Sequence, residues 1–228
     1  MPFTSLGLGD DLLAAVADQG YHTPSPIQAQ AIPAVLSGRD VMAAAQTGTG
    51  KTAAFLIAAY QRVLTQSGSK THADNDSKKV GQPQIFILAP TRELAVQIAK
   101  DAEELGKHTG LRIALAFGGT GYEQQRRTIA AGIDLLIGTP GRIIDYFKQG
   151  VFKLDEVQVA VGVEVGADPC AARARCAGEL DAAESPVLAL EEDLIRLRIA
   201  RVRSPLVRLG VDVAVEDEEV QPPVQIEV

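Results

Sequence analysis

Apolar positions along this chain follow two alternating rhythms. Asp10 and Asp11 lead into Leu12, Leu13 and Val16 at helical spacing, and Gly20 closes the stretch. Ser25-Pro26 opens a second helical pattern that Gly38 ends, and residues 41–45 form a short apolar run that enters a glycine-rich turn. An alanine-rich helical pattern follows over 51–64. Strand-like runs recur at 85–89, 113–117, 133–137 and 157–161, separated by helical spacing over 92–105, 123–130 and 143–147. The polar stretch 66–82 reads as a surface loop. Strands alternating with helices predict an α/β fold with a mainly parallel sheet flanked by helices, whose ligands lie at the strand C-termini.

Composition divides the chain. All ten Phe and Tyr, all eight Lys and both Met precede position 154. Residues 1–153 carry 15 basic and 13 acidic side chains, net +2, whereas 154–228 carry 7 and 16, net −9. The overall charge of −7 argues against a nonspecific nucleic-acid coat. A stretch of Ala, Val, Arg, Glu, Asp, Gly and Pro without one aromatic ring lacks the side chains that bury most apolar area. The expected organisation is therefore one incomplete domain over 1–161 and a tail of separate origin over 162–228. Within that tail, helical spacing from Leu188 to Leu209 predicts an amphipathic helix, with Glu191, Glu192 and Asp193 ahead of the arginines, and Glu216 to Pro223 reads as a disordered end. The residues that vanish have AT-rich codons, so the break reads as a frameshift near codon 161, with a genuine tail as the competing reading. Cys170 and Cys176, without a second pair, read as free thiols. No apolar run reaches a membrane-spanning length and the opening lacks signal-peptide character, so the expected location is cytoplasmic, with no membrane partner.

The sharpest chemical signal is Ala45-Gln46-Thr47-Gly48-Thr49-Gly50-Lys51-Thr52. In a strand-to-helix setting this is a phosphate-binding loop that departs from the generic pattern only at Ala45, where the first Gly usually stands. Its backbone N–H groups and the helix N-terminus cradle phosphates. Lys51 reaches the β and γ oxygens, and the Thr52 hydroxyl ligates Mg²⁺.

The surrounding residues narrow the reading. Phe3 together with Gly20-Tyr21-His-Thr-Pro-Ser-Pro-Ile-Gln28 resembles the Q motif of DEAD-box RNA helicases. Ala89-Pro90-Thr91-Arg92-Glu-Leu-Ala95 resembles their motif Ia, Gly118-Gly119 their paired glycines, and Thr139-Pro-Gly141-Arg142 their motif Ib. The opening, residues 3–8 with 30–40, is most similar to the bacterial RhlE-type subgroup. The resemblance covers about residues 1–161 in the family's order, and implies a RecA-like domain that binds ATP and Mg²⁺. Gln28 would pair with adenine through its amide donor and acceptor, and Phe3 would supply a stacking face, with Tyr21 alongside. Pro90, Thr91, Arg92, Gly119, Thr139, Gly141 and Arg142 would bind the phosphates of single-stranded or short duplex RNA, independently of base sequence.

The chain departs from the family where residues 157–161 should run into Leu-Asp-Glu-Ala-Asp. It reads Gly162-Val163-Glu164-Val165-Gly166 instead, so Glu164 falls at the Glu position while Val163 and Gly166 fall at the two Asp positions. A valine cannot support the metal. The Ser-Ala-Thr motif and a second RecA-like domain with its arginine fingers are also missing from the sequence. Hydrolysis and unwinding are therefore expected to be lost, and loss of the strands and helices that should follow 157–161 is expected to expose apolar surface, with aggregation or proteolysis as the result. Two further readings are a non-catalytic RNA- or protein-binding module competing with an intact helicase, and a small P-loop kinase, which the Q, Ia and Ib motifs disfavour. Protein partners are not legible.

Overall fold

The computed structural model describes residues 2–66, 81–119, 121–165, 194–201 and 224–227. Most of the expected 66–82 loop, both cysteines and the acidic end before position 224 lie outside the described residues. A short 3₁₀ turn at Phe3–Leu6 precedes α1 (Asp10–Asp18) and α2 (Pro26–Leu36). Strand β1 (Val41–Gln46) then enters α3 (Lys51–Gln66). Three further strand–helix units follow: β2 (Ile85–Leu88) with α4 (Arg92–Gly106), β3 (Ile113–Ala116) with α5 (Tyr122–Ala130), and β4 (Leu135–Gly138) with α6 (Pro140–Lys148). The chain adds β5 (Val159–Val165), β6 (Leu194–Arg201) and β7 (Val224–Glu227).

These strands form one sheet in the order β3-β4-β2-β5-β6-β1-β7. Strands β3, β4, β2 and β5 are mutually parallel, and β7 is parallel to β1. Strand β6 runs antiparallel to both its neighbours, β5 and β1. Period-two alternation sends successive side chains to opposite faces. Ile85, Ile87, Leu135 and Ile137 pack with Leu56, Ile98 and Leu105 under α1–α4. Phe86 and Leu136 pack instead with Ile129, Ile143 and Tyr146 of α5 and α6. Both faces are thus covered by helices, as the strand–helix alternation predicts. No described helix is long and apolar enough to cross a membrane.

Two expectations about the tail change. The predicted helix over 188–209 is a strand over its described part, Leu194–Arg201. The reason is legible in retrospect: Ile195-Arg-Leu-Arg-Ile199 alternates apolar and charged residues with β-branched ends, a strand rhythm that outweighs the looser helical spacing. That strand also occupies the slot beside β5 that was expected to be bare. Strand β5 itself runs through the expected 161/162 boundary without interruption.

Candidate nucleotide and nucleic-acid site

The glycine-rich turn leaves β1 at its C-terminal end and enters α3. Gly48 and Gly50 hold φ of +80° and +85°, a left-handed backbone that suits glycine. A Cβ at Gly50 would lie 2.5 Å from Gln28 Nε2, so a side chain there would displace that amide. Thr49 Oγ1 donates to the Gln46 carbonyl at 2.8 Å and closes the turn. The Lys51 ammonium is buried and donates to the Ala45 and Gln46 carbonyls. Burial lowers its pKa from the ordinary lysine value. Lys51 is therefore a preplaced cation inside the loop, satisfied by main-chain oxygens that an anion would replace.

Gln28 is buried and spans two elements. Its Oε1 accepts from Ser25 N at 2.9 Å, completing a capping box on α2, and its Nε2 donates to the Gly50 carbonyl at 3.2 Å. One amide thus ties the start of α2 to the phosphate loop, leaving one N–H and one lone pair for a base. Phe3 lies in the core rather than on a surface, so the stacking face expected of it is covered. Tyr21 is the more open ring. It borders a cavity of about 400 Å³ with Thr47, Gly48, Gly50, Lys51 and Thr52.

The opposite wall of that cavity was not anticipated. Gln97, Asp101 and Glu104 of α4 line it, spaced by four and three residues so that they share one helix face. Burial raises the pKa of Asp101, and the Glu104 charge adds to the shift. Tyr21 is shifted up by burial, then by the same two carboxylates. The helical period around Gln97 was readable; which face would meet the loop was not.

The second group gathers at the C-terminal ends of the adjacent strands β2, β4 and β3. Thr91 caps α4, its Oγ1 accepting from Leu94 N at 3.2 Å, and Pro90 and Arg92 beside it are exposed. The Arg92 guanidinium lies 4.6 Å above the Phe117 ring, next to Gly119. Thr139 stands at the N-cap position of α6 without a side-chain capping bond, with Pro140 in the first turn and Gly141 exposed. Arg142 is half-buried against Tyr122 and Tyr146, at 4.8 and 5.3 Å from their ring centres. The structure brings together all seven residues expected to meet a nucleic-acid backbone, and sets them several strands from the phosphate loop. Phe117, Tyr122, Gln125 and Tyr146, which orient the two arginines, carry no motif signal of their own.

A mainly parallel sheet with a glycine-rich loop at one strand end and a row of helix starts and arginines at three others is the architecture of a P-loop α/β domain. The chain belongs to the DEAD/DEAH box helicase family, whose model matches residues 25–164. It is 52% identical over 159 residues to the ATP-dependent RNA helicase RhlB of Pasteurella multocida (strain Pm70), a match covering 70% of this chain and 36% of that protein. Over the same length it is 48% identical to RhlB of Citrobacter koseri and 46% identical to RhlB of Shewanella piezotolerans, covering 70% of this chain and 36% and 35% of those proteins. The chain thus spans about a third of the length of the curated relatives it matches.

Proposed function

We propose that this chain binds ATP at the loop 45–52 and the backbone of single-stranded or short duplex RNA at the ends of β2, β3 and β4, without turning the nucleotide over. The observation that carries the reading is the convergence of the Ia, paired-glycine and Ib residues on one sheet edge, in the same sheet as a loop that already buries its lysine. The loop fits nucleotide phosphates: its carbonyl-held ammonium and left-handed glycines form a cradle that a side chain at Gly50 would fill. An incoming β,γ-phosphate draws Lys51 from the two carbonyls, while Gln28 holds Gly50 in register and offers its spare donor and acceptor to adenine.

Magnesium fits less well. It is held best by one or two carboxylates with phosphates and water, and here Thr52 is the one family ligand near the loop, because Val163 stands on β5 where the family has Asp. Among the described residues no group of three or more potential metal ligands occurs. Mg²⁺ would arrive with ATP and rest on Thr52, the phosphates and water. Glu164 of β5 keeps the family's Glu position, but with Val163 in place of the preceding Asp no carboxylate there seats the metal beside it, which supports binding without hydrolysis.

An RhlE-type character is supported by residues 3–8 and 30–40, although the relatives described bear the name RhlB. A separate origin for 162–228, by frameshift, is supported by the composition change and by a family match that ends at 164. A cytoplasmic location accords with RNA as the partner.

The test is titration of the full chain with a fluorescent ATP analogue and with labelled oligouridylate, alongside a phosphate-release assay. Lys51→Ala is expected to abolish nucleotide binding and spare RNA binding. RNA-stimulated phosphate release, lost in Lys51→Ala, would overturn the non-hydrolytic reading. Failure to bind either ligand would overturn the whole.

A further inference from the structure

Arg142 is the most elaborately held side chain on the nucleic-acid edge. Its Nη1 donates to Gln125 Oε1 at 3.3 Å and to the Tyr146 hydroxyl at 3.2 Å. Tyr146 gives its own proton to the Tyr122 carbonyl at 2.7 Å, so its oxygen is left as an acceptor for the guanidinium. The Tyr122 ring beneath Arg142 is fixed in turn by its hydroxyl, which meets Gln149 Oε1 at 2.6 Å. Every described group in contact with the cation is neutral. Among the described residues no carboxylate pairs with Arg142, and its Nε and Nη2 make no bond to the protein.

Gln125 is the joint of this arrangement. The same Oε1 that accepts from Arg142 also accepts from Phe117 N at 3.3 Å, the last residue before Gly118-Gly119. Gln125 sits in the first turn of α5, where its N–H reaches the Gly121 carbonyl at 2.9 Å. The main-chain N–H at the exit of β3 therefore aims the amide oxygen at the guanidinium of α6. A neutral acceptor fixes the rotamer of a long side chain without cancelling its charge. A carboxylate in the same place would hold Arg142 as firmly and compete with any phosphate for it.

We infer that Gln125 is a positioning residue for nucleic-acid binding, holding Arg142 through Oε1 so that its free Nε and Nη2 donors meet a backbone phosphate. This rests on the RNA-binding reading above. Prepaid ordering of the arginine lowers the cost of each contact it makes.

The experiment compares Gln125→Leu with the parent chain for binding of a short labelled oligouridylate over a range of salt. Leu matches the side chain in size and removes the acceptor. Affinity is expected to fall about tenfold, the scale of coupling within one hydrogen-bond network. The slope of log K against log salt should shrink by up to about 0.7, the share of one phosphate contact on a single strand. In an Arg142→Ala background the same substitution should change affinity less than about twofold, because its effect runs through the arginine. Affinity for a fluorescent ATP analogue should not change, since β3 and β1 are five strand positions apart. If that binding is lost, the variant is misfolded and Tyr146→Phe, which removes part of the same cradle, is judged by the same criteria. A parent chain that binds no RNA overturns the function proposed above. A parent that binds while Gln125→Leu keeps both affinity and salt slope overturns the role of Gln125 alone.

Discussion

The sheet has two halves built on different terms. On one side β3, β4, β2 and β5 form an uninterrupted parallel block, and the family match covers all of it up to Glu164. On the other, β1 carries the phosphate loop but touches neither β2 nor β5; its partners are β6 and β7, both beyond the match. The edge proposed to meet RNA is thus supported by strands inside the family match, whereas the loop's strand is tied to the rest of the sheet through an antiparallel strand beyond it. A motif guarantees its own turn and the helix it opens. It does not guarantee the strands beside it.

The largest expected effect breaks this comparison directly. Strand β6 is paired on both sides from Ile195 to Ile199, so each backbone N–H there serves one neighbour or the other. Leu197→Pro removes such a donor in a central strand and should cost on the order of 3 kcal/mol, lowering the melting temperature by roughly 6–12 °C and weakening ATP-analogue binding more than RNA binding. Strand β7 pairs only with β1 among the described residues, so its alternate N–H groups face outward. Of Val224→Pro and Gln225→Pro, one should be tolerated in the same melting assay. Equal, near-zero effects in β6 and β7 would mean that β1 does not depend on β6.

Next comes a pair of strand glycines. A Cβ at Gly138 of β4 would lie 2.6 Å from the Ala116 carbonyl oxygen and 2.7 Å from Ile143, whereas a Cβ at Gly162 of β5 meets nothing within 4 Å among the described residues. Gly138→Ala should destabilise by about 2 kcal/mol through overpacking. Gly162→Ala should be neutral or stabilise by roughly 0.5 kcal/mol, because it restricts the unfolded chain. Urea melts of the two variants measure how much tighter the parallel block is than its junction with β6.

Legibility followed the same division. Strand and helix runs through residue 148 stood in the pattern of the apolar positions, because each helix there buries one face and each central strand is an apolar run buried on both, with Ile85 and Ile87 in one core and Phe86 in the other. Residues 194–201 form a strand rather than a helix because 188–209 contains helical spacing on a long scale and strand alternation on a short one, and only a slot between β5 and β1 selects the strand. The loop 45–52 and the helix starts at Thr91 and Thr139 were legible because their chemistry is local. Phe3 was not: its motif suggests an aromatic face, but burial against the core depends on α2 and α3 arriving from elsewhere. Gln125 and Asp101 escaped for a related reason, since each is defined by what another element brings to it.

Two smaller predictions sharpen the contrast between core and surface on the α1–α4 face. Tyr60 is buried and its hydroxyl donates to the Ala102 carbonyl at 2.8 Å, joining α3 to α4; burial pushes the phenol's pKa well above its ordinary value. Tyr60→Phe should cost about 1 kcal/mol, the net worth of one buried hydrogen bond, with no change in the pH profile near neutrality.

The smallest effect is expected at Asp18, at the end of α1, which lies before the matched residues. Its Oδ2 accepts from His108 Nε2 at 2.9 Å and Lys107 Nζ at 3.3 Å, just past α4. The hydrogen bond from His108, then that from Lys107, holds the carboxyl below its ordinary pKa. A carboxylate whose folded pKa is depressed adds stability above the unfolded value, near 3.9, and loses it as pH falls through the folded one. Asp18→Asn should therefore melt slightly below the parent at pH 7, converge with it as pH drops below about 4, and differ less in 1 M salt, because the group is exposed and screened. A difference that survives both acid and salt would mean that Asp18 anchors α1 by something other than charge. The attachment of α1 would then rest on that other contact as well as on Leu12 and Val16 in the core.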